Sequence, residues 1–137
     1  MKSALIATKL SRTPAPAVFA TAFLFAITTF LVRADSITTS EAAKHGDEVQ
    51  TVRGIVVSAT FEPQKKGQPT YLYLDQDSPN EIFIIKILGS DRGKFPVAPE
   101  FAFKGKTVRV TGKITVFMGT SEVVVRDPAK IVIDEGG

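Results

Sequence analysis

The chain of 137 residues has no cysteine and no tryptophan, and histidine occurs once. Without cysteine there are no disulfides, thiolate metal sites, cysteine nucleophiles or lipoprotein anchors. A single histidine rules out a metal centre built from several imidazoles. Acidic residues are also missing from the first 34 positions, which hold Lys2, Lys9, Arg12 and Arg33. From Asp35 onward 13 Lys and Arg stand against 14 Asp and Glu. The formal charge of +3 therefore comes from the N-terminal segment. A basic balance would suggest nucleic acid or an anionic membrane as partner, but that argument does not extend to the body of the chain.

Residues 1–34 read as a secretory signal peptide. A basic start precedes the uncharged, mostly apolar run Ala17–Val32, and Ala34 with Val32 two places earlier resembles a signal-peptidase site. The run has 16 residues, three of them threonine. A spanning helix needs about 20 apolar residues, so no membrane span is expected after cleavage; the alternative is an uncleaved N-terminal anchor. The predicted localisation is periplasmic or secreted.

Residues 35–137 are long enough for one packed core. Thr38 and Glu41 have capping-box spacing and predict a short helical turn ended by Gly46, with His45 beside the stop. The pattern then changes to period two. Strands are predicted over Val49–Phe61, Thr70–Asp75, Ile82–Leu88, Thr107–Met118 and Ser121–Arg126, with a last short piece at Ile131–Ile133. Gly54 suggests a bulge or sharp bend. Gly89–Phe103 contains Gly93, Pro96 and Pro99, which leave no room for a long helix. Ser90 or Asp91 is a candidate cap for one helical turn there. The fold class is all-β. Three strands, an insertion and two more strands give the layout of a closed five-stranded OB-fold barrel.

Three segments carry a resemblance to a known family: Glu48–Ser58 (EVQTVRGIVVS), Lys104–Met118 (KGKTVRVTGKITVFM) and Ser121–Ile131 (SEVVVRDPAKI). They are similar to strands one, four and five of small exported bacterial proteins described as OB-fold nucleic-acid-binding domains. The resemblance spans Thr38–Ile133 and implies the fold more specifically than the ligand. It also implies a bacterial origin.

OB-folds bind along the outer face of strands two and three, flanked by two loops. With Leu72, Leu74, Phe83, Ile85 and Ile87 inside, that face would show Tyr71, Tyr73, Ile84, Lys86 and Leu88. The loops would add Lys65 and Lys66 on one side and Phe117 and Met118 on the other. Aromatic rings flanked by lysines suit single-stranded nucleic acid, so the candidate nucleic-acid-binding residues are Tyr71, Tyr73, Lys86, Lys65, Lys66 and Phe117. The same residues also suit a soluble strand face, and an envelope protein or peptide is the alternative partner. Clustering of the lysines and tyrosines would favour nucleic acid; interleaving with Glu62, Asp75 and Glu81 would disfavour it.

Other constellations read as structural. Arg53, Arg109, Lys113 and Arg126 are expected to pair across strands with Glu122, Glu48 or Glu62. Asp75–Glu81 has the oxygen donors of a calcium loop but a proline where the glycine is needed, so a turn is expected. Arg92 and Lys94 are candidate phosphate contacts by position alone. His45 is expected to be structural or exposed, with no nucleophile or carboxylate held against it for catalysis. No phosphate loop, serine elbow or carboxylate pair is present, nor the Asp-Thr-Pro-Glu element of staphylococcal-nuclease-type OB-folds. A non-catalytic, monomeric binding module without metal or cofactor is expected.

Overall fold

The computed structural model describes residues 35–135. The proposed signal segment lies outside them. In chain order the elements are β1 (Ile37–Thr38), a 3₁₀ turn (Glu41–His45), β2 (Val49–Phe61), β3 (Thr70–Leu74), β4 (Phe83–Ile87), α1 (Gly89–Arg92), α2 (Pro99–Ala102), β5 (Thr107–Lys113), β6 (Thr115–Phe117), β7 (Thr120–Val124), a second 3₁₀ turn (Pro128–Lys130) and β8 (Ile131–Ile133). The strands form one mixed sheet in the order β6-β7-β4-β3-β2-β5-β8, with β1 beside β2. Pairing is antiparallel except for β4 with β7 and β1 with β2, which run parallel. No described helix is long and apolar enough to cross a membrane.

The capping box forms as its spacing predicts. The Thr38 backbone N–H donates to Glu41 Oε1 at 3.0 Å, and the Glu41 N–H donates to Thr38 Oγ1 at 3.2 Å. α1 has no side-chain cap; Leu88 precedes it, and neither Ser90 nor Asp91 takes that role.

β2 is long enough to serve two partners. Its first half, Val49–Ile55, pairs with β5, and its second half, Val56–Phe61, pairs with β3. The register slips between Val56 and Ser58, beyond the glycine expected to mark the bend. Gly54 is instead a point of close approach: a Cβ there would lie 2.8 Å from Thr39 Cγ2 and 3.2 Å from Asp75 Oδ2.

The closed five-stranded cylinder does not form; the sheet is open. The predicted strand Thr107–Met118 divides at Ile114, where the chain changes neighbours. The Ile114 N–H still donates to the Glu48 carbonyl of β2's approach at 2.9 Å. One residue later Thr115 pairs with Glu122 of β7. The free edge of β5 is taken by β8, through Val108↔Ile133 and Val110↔Ile131. The two edges of β7 are taken by β4 and β6. No ladder is left to join β5 to β7. They meet through packing alone: a Cβ on Gly112 would fall 2.5 Å from Val123 Cγ1.

Alternation sorts the side chains as the sequence predicts. Leu72, Leu74, Phe83, Ile85 and Ile87 are all fully buried, together with Val52, Val56, Val108, Val110, Ile114 and Val123. The insertion between β4 and β5 adds Phe95 and Phe103, packed edge to face with centroids 6.1 Å apart.

Candidate ligand-binding face

The outer surface of β3, β4 and β7 is ordered by register. Tyr71 lies opposite Lys86, and Tyr73 opposite Ile84. On the next strand Ile84 meets Glu122, and Lys86 meets Val124. On the other side Thr60 and Ser58 of β2 flank the two tyrosines. Both rings are half-buried and point away from the core. Their centroids are 6.3 Å apart with planes tilted by 37°.

One end of this surface is basic. Residues Glu62–Pro69 fold into tight turns, closed by the Glu62 N–H to the Pro69 carbonyl at 2.9 Å and the Gln68 N–H to the Lys65 carbonyl at 2.8 Å. Gly67, at φ +84°, supplies the left-handed residue that such a turn requires. The loop sets Lys65 Nζ 5.1 Å from the Tyr71 ring centroid and 3.1 Å from Glu62 Oε1. The hydrogen bond to Glu62, helped by Tyr71, raises the Lys65 pKa. Lys66 follows in the loop and is exposed. Lys86 stands beside Tyr71, and exposed Arg126 lies two residues beyond Val124. Lys66, Lys86 and the Arg126 guanidinium have no side-chain partner among the described residues.

The opposite end is acidic and apolar. A groove of about 420 Å³ is lined by Glu81, Ile84, Thr115, Thr120 and Glu122, with Phe117 and Met118 beside it. Phe117 and Met118 are 73% and 87% exposed, at the tip of the β6–β7 hairpin. The turn there, Met118-Gly119, has φ +50° and +84°, the two-residue geometry that suits the twist of paired strands. Thr120 Oγ1 donates to the Glu81 carbonyl at 3.2 Å. Glu81 Oε1 is shielded from water and has no hydrogen-bond partner. An unmet acceptor of this kind costs about 1–3 kcal/mol. Burial, then the charges of Glu62 and Glu81, raises the Tyr73 pKa, so its hydroxyl stays neutral.

The structure thus brings Tyr71, Tyr73, Lys65 and Lys86 together, with Lys66 at the margin and Phe117 at the far end. Of the acids expected to interleave, Glu62 is paired with Lys65, Glu81 sits at the far end, and Asp75 leaves the face altogether. Asp75 Oδ2 accepts from Thr39 Oγ1 at 2.6 Å and Oδ1 from the Ile55 N–H at 2.9 Å, tying the first turn to β2. Sequence reasoning missed Glu122, Thr115 and Thr120 as site residues. Their alternation with buried Ser121 and Val123 marks Glu122 and Thr120 as outward, but only the parallel β4–β7 pairing brings Glu122 beside Ile84.

Several other cations are committed elsewhere. Arg53 and Arg109 are register partners, and each Nε donates to Asp134 Oδ2, at 2.6 and 2.9 Å. Their partner is therefore Asp134, not the glutamates expected. Arg92 Nη1 donates to Glu100 Oε1 at 2.6 Å and to Thr70 Oγ1 at 2.9 Å, while its guanidinium lies 3.6 Å from the Phe61 ring centroid. Lys94 Nζ binds Asp91 Oδ1 at 2.9 Å and the Arg126 carbonyl at 3.2 Å. Arg92 is committed within the fold, whereas Lys94 stays exposed while holding Asp91 and the Arg126 carbonyl. His45 does have a carboxylate within reach, Glu48 at 2.9 Å, on the exposed surface. Among the described residues no three His, Asp or Glu side chains are grouped to hold a metal ion.

No family model and no curated protein matches the chain. Among solved structures it is similar to part of a protein assigned as an aspartyl-tRNA synthetase from Leishmania major Friedlin, with a TM-score of 0.49 and 17% identity. The match covers 82% of this chain and 23% of that one, so this chain spans under a quarter of that protein's length.

Proposed function

We propose that the chain is a non-catalytic OB-type binding module that holds single-stranded nucleic acid across the outer face of β3 and β4. The observation that carries the reading is the row of Tyr71 and Tyr73, 6.3 Å apart, with Lys65 5.1 Å from the first ring and Lys86 in register with it. Bases stack on such rings for about 1–3 kcal/mol each, whatever their sequence. Phosphates follow the lysines, and binding weakens with salt as counterions are released. Only the basic half of the face suits phosphate, so the bound segment is short. Fluorescence anisotropy of labelled oligonucleotides at low salt tests the reading. Micromolar binding that falls at least about tenfold in Tyr71→Ala or Tyr73→Ala supports it. Unchanged anisotropy at high micromolar protein rejects it.

A protein or peptide partner is the second reading, favoured by the exposed Phe117 and Met118 at the hairpin tip. Pull-down from a cell-envelope extract separates the two. Recovery lost on nuclease treatment supports nucleic acid; one stoichiometric protein that resists nuclease supports the alternative. We further propose that the module is exported, on the strength of the basic start and apolar run in residues 1–34; a bacterial source is what the resemblance to exported OB-fold proteins implies. Fractionation of the producing cell, with N-terminal sequencing of the product, tests this.

A further inference from the structure

We propose that the groove between the Glu62–Pro69 loop and the start of α1 receives the terminal phosphate of a bound strand. The proposal rests on the nucleic-acid reading and gives the bound strand an end and a direction.

The groove, about 530 Å³, lies where the outer face of β4 runs out. Lys86 is the last residue of that strand to face outward, and Leu88, two places on, lines the groove. The loop folds back over this point. A Cβ on Gly67 would lie 3.6 Å from Leu88 Cδ2, and the Gly89 N–H donates to the Gly67 carbonyl at 2.8 Å. A Cβ on Gly89 would stand 2.8 Å from Gln68 Cβ and 3.1 Å from the Gln68 carbonyl oxygen, so the contact needs glycine there. Gln68 itself holds φ +47°, a left-handed conformation that residues with a side chain rarely adopt. Backbone geometry therefore fixes the groove.

Its lining supplies donors and no acid. Gln64, Lys65, Lys66, Gln68 and Ser90 line it, and no Asp or Glu is among the lining residues. Lys65 is engaged with Glu62. Lys66 has no carboxylate of its own, and the backbone N–H groups of Lys66 and Gly67 have no acceptor among the described residues. An oxyanion meets that demand, and it gains more the more charge it carries. A phosphate monoester carries about −1.5 to −2 near neutral pH, against about −1 for a phosphodiester inside a strand.

The position along the face also points to a strand end. Tyr71 is the register partner of Lys86, whereas Tyr73 pairs with Ile84, one step further from the groove. Beyond Lys86 comes Leu88, which offers no ring, and the Phe61 ring of β2 is covered by the Arg92 guanidinium at 3.6 Å. A base on Tyr71 is therefore the last that can stack, and the phosphate on its far side has the groove before it. Lys65, 5.1 Å from the Tyr71 ring centroid and part of the groove lining, joins the two.

The test measures anisotropy of the full chain with a dT hexamer labelled on an internal base. The hexamer carries a phosphate at the 5′ end, at the 3′ end, or at neither. A strand lies on the face in one direction, so one of the two phosphorylated forms binds about tenfold tighter than the bare hexamer and the other does not. Lys66→Ala removes most of that ratio. Tyr71→Ala weakens all three forms and leaves the ratio in place. An equal gain from either end is net charge alone and overturns the proposal. So does a ratio that survives Lys66→Ala, and so does displacement of the phosphorylated hexamer by equimolar inorganic phosphate, which would give the groove to the free ion. In each of these cases the nucleic-acid reading stands if Tyr71→Ala still weakens binding. If no hexamer binds, both fall.

Discussion

The half of the sheet built on β2, β5 and β8 ties up its arginines, though exposed Lys113 has no partner among the described residues, whereas the half built on β3, β4 and β7 leaves most of its cations open. In the first, Arg53 and Arg109 converge on Asp134, whose side chain is 13% exposed. In the second, Lys66, Lys86 and Arg126 stand on the surface without a carboxylate of their own, and Lys65 alone is paired, to Glu62. A guanidinium that shares a shielded carboxylate belongs to the fold. A cation surrounded by rings and water is available to a ligand. The difference locates the candidate site more sharply than net charge, which is close to neutral over residues 35–137.

The largest effect is expected where the two halves touch. Gly112→Val drives a branched side chain into Val123, whose Cγ1 would stand only 2.5 Å from the new Cβ. A loss of about 3 kcal/mol in urea unfolding is expected, the upper range for overpacking. A near-neutral result would mean that β5 and β7 are free to separate. Next, Asp134→Ala leaves two arginines without their shared acceptor. It should cost about 1–2 kcal/mol of stability, since one guanidinium is well exposed, and leave oligonucleotide affinity unchanged. Weakened binding in that variant would assign Arg53 and Arg109 to the ligand and erase the contrast between the halves.

A smaller effect concerns the insertion, which Arg92 ties to β3 through Thr70 and to α2 through Glu100. Burial raises the Glu100 pKa, but the Arg92 hydrogen bond and charge, with a backbone hydrogen bond, outweigh it and leave the pKa lowered. Because the folded value lies below the unfolded one, the stabilisation is complete above the ordinary carboxylate range. It is lost as pH falls through the lowered folded value. Thermal melts of Glu100→Gln should therefore show less acid destabilisation than the parent below about pH 4.5, a difference of about 1 kcal/mol. Equal acid sensitivity would remove Glu100 from the account. The smallest effect on stability is expected for Lys86→Ala, under about 0.5 kcal/mol. Binding should nevertheless weaken, and the log–log salt slope should fall by about 1. An unchanged slope would leave Lys86 as an ordinary surface residue.

Local pattern made much of this readable in the sequence. The extent of Val49–Phe61, the capping box at Thr38 and Glu41, and the division of β3 and β4 into buried and outward residues all follow from side-chain periodicity or short-range hydrogen bonding. So does the grouping of Tyr71 and Tyr73. Pairing between distant segments does not leave such a trace. Nothing at Ile114 announces a change of partner, because an apolar residue at that position also continues the alternation. The two residues of β1 are too few for a period, and they form a strand only because β2 offers them an edge at Val52 and Arg53. Asp134 lies 81 residues from Arg53, so their convergence depends on β8 covering β5. The acidic groove was hidden for the same reason, since it needs β4, β6 and β7 side by side.

The parallel pairing of β4 with β7 also bears on how the chain is made. Thr120–Val124 emerges from the ribosome long after Phe83–Ile87, with the whole insertion and β5 in between. Until then one side of β4 is a row of unanswered amides and carbonyls, the kind of edge that recruits strands from other molecules. A shortened product ending before Thr120 would retain both tyrosines and most of the apolar interior. It would still be the aggregation-prone species in any preparation, and a poor stand-in for the intact surface.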